Sequence, residues 1–271
     1  MNRKDTKLFA VRLEVLPGRD LPEKFFNARK YGFDAVELPG RYLSDYYQEL
    51  MEYKEKLPLP VSSISLGFKG SLLSKDEKIR RECRNDIKRL LDLCADLGAI
   101  GLVMPPHLFI DNVSVFTGKE ADDMILEQLP DLANFAAERS VHLMLEPVNR
   151  KETDYLYSIE HAVRLCEKVN NSGLAVTADW FHMSLEENNL PEALLRCGKW
   201  LKNFHISESP DRTEPAPGGL DFKAAFEVLE RIGYTGYTVL ECRGLSGAAD
   251  DVLPQSLTYL KNLTGEKNYE S

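Results

Sequence analysis

The sequence has no CxxC pair. Its five cysteines, Cys83, Cys94, Cys166, Cys197 and Cys242, are scattered and odd in number, which gives no disulfide framework and points to reduced thiols in the cytoplasm. No apolar run approaches the roughly 20 residues that cross a bilayer, so no membrane partner is expected. Basic residues are not in excess: 34 Lys and Arg stand against 43 Asp and Glu, a net charge of −9. A chain of that sign offers no general attraction to a phosphate backbone, and no nucleic-acid partner is expected. No GxGxxG follows the first apolar run, which argues against an open dinucleotide-binding sheet. The N-terminal apolar stretch is short and interrupted by Arg12 and Glu14. It reads as a first strand, not as a signal peptide.

What is present is one repeated unit: a short β-branched run, turn residues, then a longer stretch of helical periodicity. Eight runs fit strands, at about 9–15, 34–38, 60–67, 99–104, 141–147, 174–179, 201–207 and 236–242. The clearest helix lies between Lys75 and Gly98, with others in EADDMILEQLPDLANFAAERS, YSIEHAVRLCEKVNN, LPEALLRCGKW and LDFKAAFEVLERIGY. The phrases KYGFDAVEL, DLGAIGLVM and RIGYTGYTVL share one shape: a helix end, a glycine, a turn and an entering strand. Alternation of strand and helix gives an α/β fold with a parallel sheet. Eight units in 271 residues match a single (β/α)8 TIM barrel, which typically occupies about 250 residues. We therefore expect one barrel domain over residues 1–271.

Barrel active sites lie at the carboxyl ends of the strands. The last four strands end in chemically useful residues: Glu146, Asp179, His205 and Glu241. Strand alternation puts each on the face shared with Met144, Thr177, Asn203 or Val239, while Leu145, Val176, Phe204 and Leu240 take the other face. All four can point into the barrel mouth. Cys242 follows Glu241 and so turns toward the helices. Any one of these residues alone reads as a solvated rim glutamate or a packed histidine. Four with matching parity in consecutive strands read as a site. Three converging carboxylates repel one another unless a cation lies between them. A mainly oxygen donor set with one nitrogen suits Mn²⁺, Mg²⁺ or Co²⁺, with Zn²⁺ as the alternative. Glu37, Ser65 and His107 also lie at strand ends and can line the pocket.

The phrases LEPVNRKET, ADWFHMSLEE, FHISESPDRTEPAPGGLDF and TVLEC resemble the xylose isomerase-like barrel superfamily. The branch they resemble is the sugar isomerase and epimerase group that includes D-tagatose 3-epimerase, D-psicose epimerase and hydroxypyruvate isomerase. The resemblance covers most of the chain and is strongest over residues 141–242. It implies that Glu146, Asp179, His205 and Glu241 are the ligands of one divalent metal, and that Glu146 and Glu241 are the catalytic acid/base pair. It also implies substrate contacts from Glu152, six residues after the first ligand, and from His182. The epimerases carry an arginine six residues after the histidine ligand. Here that position is Asp211, and Arg212 comes one later, in wording closer to the hydroxypyruvate isomerase type. Arg212 and His107 complete the expected substrate-binding set. Homo-oligomers are also expected by the same likeness.

The reaction so implied is proton abstraction next to a carbonyl, through an enediolate. Return of the proton at the same carbon epimerises a sugar; return at the neighbouring carbon interconverts aldose and ketose. No phosphate-cradling loop is evident, which favours a small non-phosphorylated sugar or polyol. Three alternatives stand beside this reading. A dehydratase of the inosose or dehydroshikimate type uses the same metal barrel. An endonuclease IV-like repair enzyme needs more histidine ligands than a chain with five histidines supplies; His142 and His161 read as a strand start and a helix position. The third is a non-catalytic barrel.

Overall fold

Eight short parallel strands pair in chain order, and the last returns to the first. They are β1 (Leu8–Arg12), β2 (Ala35–Pro39), β3 (Val61–Ser65), β4 (Gly101–Met104), β5 (His142–Leu145), β6 (Leu174–Asp179), β7 (Leu201–Ile206) and β8 (Tyr237–Leu240). The computed structural model describes residues 7–265. The ring closes where Ala10 of β1 lies opposite Val239 of β8.

Alternation along the strands separates two environments. Outward side chains such as Val11, Val36, Ile64, Leu145, Phe204 and Leu240 are buried in one continuous core with the helices. Inside the ring, Ala10, Ala35 and Val239 form a small cluster, and Val103, Met144 and Ala175 another. Glu37, Ser63, Thr177, Asn203 and His205 are polar and fully buried. Apolar burial at about 25 cal/mol per Å² stabilises the outer layer. The polar interior needs hydrogen bonds and is there for another purpose.

The helix layer comprises α1 (Leu21–Tyr31), α2 (Leu43–Tyr53), α3 (Glu77–Leu97), α4 (Gly118–Glu138), α5 (Ile159–Val169), α6 (Trp180–Glu186), α7 (Leu190–Cys197), α8 (Phe222–Arg231) and α9 (Ala249–Leu263). Side-chain caps start several of them: Asp20, Asp76, Ser158, Asn189 and Asp221 each accept from a backbone N–H of the first turn. The three glycine phrases behave as read. Gly32, Gly98 and Gly233 have φ of 93°, 69° and 67°, the left-handed geometry that ends a helix and turns the chain into the next strand. Periodicity names no helix at α1, α2, α6 or α9. α6 has only seven residues, and α9 carries an internal Pro254. Among the described residues no helix is long and apolar enough to cross a membrane.

Candidate metal centre and pocket

β5 and β8 stop one residue before Glu146 and Glu241, which are nonetheless tied to the sheet: Glu146 N donates to Met104 O at 3.2 Å, and Glu241 N to Ile206 O at 3.0 Å. Asp179 is the last residue of β6 and lies opposite His205 of β7. One Asp179 oxygen, Oδ1, accepts from Phe181 N at 2.8 Å and so caps α6. That leaves Oδ2 facing inward. Each of the four residues offers a ligand atom, and these atoms lie within 4.8 Å of one another. His205 Nδ1 stands 3.1 Å from Glu146 Oε1 and 3.1 Å from Glu241 Oε2. All four are buried. Among the described residues no other group of three or more His, Cys, Asp or Glu is arranged in this way.

The electrostatics are those of crowded carboxylates. Burial pushes the Asp179 carboxyl up, and Glu241 and Glu146 add to that push against the pull of Arg212. Burial likewise raises Glu146, reinforced by Glu241. Glu241 moves the other way: burial is outweighed by Arg212, His205 and Arg12, which hold its carboxyl well below the usual range. His205 also resists burial, because Glu37 and Glu241 favour its cationic form. A divalent ion fits this donor set, since it replaces mutual repulsion among three buried carboxylates by attraction.

Arg212 reaches the same centre. Its backbone is left-handed, with φ of 53°, in a reversal closed by Arg212 N to Glu208 O at 3.0 Å and Glu208 N to Thr213 O at 2.9 Å. The guanidinium is buried against the ring of Phe181, 4.6 Å from its centroid. Nη2 donates to Asp179 Oδ2 at 2.7 Å and to Glu241 Oε2, and Nη1 lies 3.2 Å from His182 Nε2. His182 is positioned by Asn149, whose backbone N donates to Nδ1 at 3.1 Å. Burial and Arg212 hold this imidazole well below its usual pKa.

A cavity of about 550 Å³ opens beside the centre. Arg12 belongs to both: it lines the cavity, and its Nη1 donates to Glu241 Oε1 at 2.7 Å. Glu152 is in the wall, where it accepts from Arg243 at 2.8 Å and from Asn149 at 3.1 Å. Ser65 is there too, and its buried Oγ has no hydrogen-bond partner among the described residues. The other two residues read as strand ends in the first half are not in the wall: Glu37 is the middle residue of β2, and His107 lies beyond the end of β4. His107 is buried against Phe109, with Nδ1 3.5 Å from Asp111. Glu37 sits beneath the centre, its Oε2 3.0 Å from His205 Nε2. Residue type alone did not single out Arg12. Its position at the end of β1, level with Glu37, is the signal that finds it. His142 and His161 lie elsewhere, against Ser172 O and Asp122.

The sequence profile of the xylose isomerase-like TIM barrel family matches residues 25–263. The chain is 29% identical over 245 residues to the 3-dehydro-D-guloside 4-epimerase of Escherichia coli, covering 88% of this chain and 93% of that protein. It is 32% identical over 202 residues to the L-ribulose 3-epimerase of a Methylomonas species, covering 74% and 70%. The crystal structure of the 3-keto-D-glucoside 4-epimerase of E. coli superposes with a TM-score of 0.85 at 26% identity, covering 95% of this chain and 100% of that one.

Proposed function

Because the chain belongs to the xylose isomerase-like TIM barrel family, we propose that it is a divalent-metal-dependent sugar epimerase that works on the carbon next to a carbonyl. The observation that carries this reading is the convergence of Glu146, Asp179, His205 and Glu241 within 4.8 Å at the ends of consecutive strands. The two sequence relatives named above support epimerisation over the dehydratase alternative, since both are named epimerases. Their names place the reaction at different carbons of different sugars. What the two reactions share is inversion of a hydroxyl-bearing carbon beside a carbonyl.

Glu146, Asp179, His205 and Glu241 would hold the metal, and Mn²⁺, Mg²⁺ or Co²⁺ suits their mainly oxygen donors better than Zn²⁺. When bound, such an ion supplies a Lewis acid beside the carbonyl. The chain's own groups handle the proton. Glu146 and Glu241 both stand 3.1 Å from His205 Nδ1 and present two carboxylates to one substrate carbon. One takes the proton as the C–H pair moves into the enediolate double bond. The other delivers a proton to the same carbon from the opposite face, and the double-bond electrons form the new C–H bond. General acid–base help of this kind is worth roughly 10²–10⁴-fold. Arg212 and His182 would steady substrate oxygens next to the centre, and Glu152 a distal hydroxyl from the pocket wall. His107 would act one step removed, by supporting the Leu108–Ile110 rim. The substrate class is a non-phosphorylated sugar or polyol carrying a carbonyl.

The test is isotopic. Chelator-stripped protein receives Mn²⁺, Mg²⁺, Co²⁺ or Zn²⁺ and is incubated with ketoses and keto-glycosides in D₂O. NMR then follows deuterium entry beside the carbonyl. We expect metal-dependent labelling with inversion, abolished in Glu146→Gln and Glu241→Gln. Failure of the protein to bind any of the four ions would overturn the reading, and loss of water from the substrate would reassign it to the dehydratase class.

A further inference from the structure

We propose that Glu37 is the positioning residue for His205: its carboxylate holds the imidazole with Nε2 turned into the barrel and Nδ1 turned toward the metal centre. This rests on reading Glu146, Asp179, His205 and Glu241 as metal ligands.

Glu37 lies in β2, three strands round the ring from β7, and is fully buried. A carboxylate in such a place costs several kcal/mol unless donors meet it. All of its hydrogen bonds fall on one oxygen. Oε2 accepts from Ser63 Oγ at 2.6 Å and from Asn203 Nδ2 at 3.4 Å and lies 3.0 Å from His205 Nε2, whereas Oε1 has no partner among the described residues. The carboxylate is therefore aimed at the histidine and not at the cavity.

The opposite edge of the ring faces Glu146 and Glu241, each 3.1 Å from Nδ1. A metal-bound imidazole keeps one ring hydrogen, and a carboxylate can only accept. With that hydrogen on Nε2, Glu37 accepts it and the Nδ1 lone pair points at the centre. The other tautomer would put a hydrogen where the ion belongs and set the Nε2 lone pair against a carboxylate. The Asn203 amide nitrogen lies 2.8 Å from Nε2 and 3.4 Å from Glu37 Oε2, while its Oδ1 lacks a partner among the described residues. With the hydrogen on Nε2 the amide turns end over end: Oδ1 then accepts from Nε2–H, and the contact of Nδ2 with Glu37 is given up. Ser63 holds Glu37 in turn, so Ser63, Glu37 and His205 form a chain of hydrogen bonds running into the centre.

Carboxylates that orient a ligand histidine typically contribute about 10–100-fold to metal affinity. The experiment uses the full chain and the variants Glu37→Gln and Ser63→Ala. Mn²⁺ dissociation constants come from chelator competition. Zn²⁺-loaded, ¹⁵N-histidine-labelled protein is read by long-range ¹H–¹⁵N correlation, a manageable assignment with five histidines. In the wild type we expect one histidine with metal on Nδ1 and hydrogen on Nε2. Glu37→Gln is expected to weaken Mn²⁺ about tenfold or more and to shift that histidine's ¹⁵N signature. Ser63→Ala is expected to change both in the same direction by less. A merely structural Glu37 would lower the unfolding temperature without moving the affinity or the signature of the folded protein, and that result overturns the inference. So does a wild-type spectrum with metal on Nε2. If Glu37→Gln does not fold, an unchanged affinity and signature in Ser63→Ala overturns it instead. Absence of metal binding in the wild type would count against the proposed function itself; retention of full affinity in folded Glu37→Gln counts only against the role of Glu37.

Discussion

Arg12 Nη1 donates to Glu241 Oε1 at 2.7 Å across the seam where β1 meets β8, and its Nη2 meets Glu14 Oε2 at 2.6 Å. Arg212 holds the other Glu241 oxygen. One proposed acid/base residue is thus gripped on both oxygens by guanidinium groups, one from β1 and one from the loop after β7, while Glu146 has only His205 as a side-chain hydrogen-bond partner among the described residues.

Replacing Arg12 by methionine keeps the apolar stem but strands Glu241 Oε1. Removing one partner of a buried ion pair typically costs about 3–5 kcal/mol. Because Arg212 still neutralises Glu241, we expect the lower end, about 3 kcal/mol, in denaturant unfolding. Turnover should fall more than KM rises, since the carboxylate proposed to handle the proton loses its fixed orientation. Equal stability of the variant and the wild type would show that the pair is decorative.

Metal binding should stabilise the fold, because without it burial and carboxylate neighbours push Glu146 and Asp179 up, disfavouring their charged forms. A ligand at 100 times its dissociation constant adds about 2.7 kcal/mol if it binds only the folded state. Chelation should therefore lower the unfolding temperature of purified protein, and one of the four ions should restore it. Asp179→Asn should abolish the restoration. A midpoint indifferent to every ion would remove the centre from the account.

Two glycines offer a matched pair. At Gly101 an added methyl would come within 2.1 Å of His142 O, a backbone atom of the neighbouring strand. At Gly98 nothing lies within 4 Å, and only the positive φ of 69° opposes a side chain. Gly98→Ala should cost about 1–2 kcal/mol and leave a folded protein. Gly101→Ala should push β4 from β5 and give little soluble product. Expression yield and circular dichroism of the two variants check the contrast, and it fails if they behave alike.

All five cysteines are buried and unpaired. Burial pushes the Cys166 thiol up to about 12, and the other four are displaced in the same direction for the same reason. A thiol-specific reagent at pH 8 should react with none of them on the timescale of minutes in native protein and with five after denaturation. Fast reaction of one thiol in the native state would show that its cover opens locally.

The four-residue centre was legible because strand alternation has a period of two. Once HLMLEP and LAVTAD are taken as strands, the side on which Glu146 and Asp179 emerge follows. The roles of Glu37 and His107 were not legible in that way. Alternation says that a residue points inward but not how deep it lies, and depth separates a pocket wall from a buried support. Glu37 is in mid-strand and meets His205 across the ring, a contact between residues 168 apart in sequence. Counting along the chain placed Arg212 one residue away from the family position. Its left-handed backbone turns the side chain back over the strand ends, and an arginine does not announce such a turn as glycine or asparagine does. The helices α1 and α9 pack against each other across the closing seam, so their existence follows from ring closure more than from local pattern.

The chemistry and the walls come largely from different lengths of chain. Every residue of the four-membered centre lies in or just after one of β5 to β8, while Val15, Pro39, Ser65, Leu66 and Phe109 of the cavity lie in or after β1 to β4. Such a molecule is divisible for inheritance: the early loops can change the cavity wall while the four-membered centre is kept. The freedom has two fixed points, Arg12 and Glu37, which the early half lends to Glu241 and His205. A recombinant barrel that takes its first four strands from elsewhere must bring both along, or its Glu241 and His205 will lose contacts that aim them.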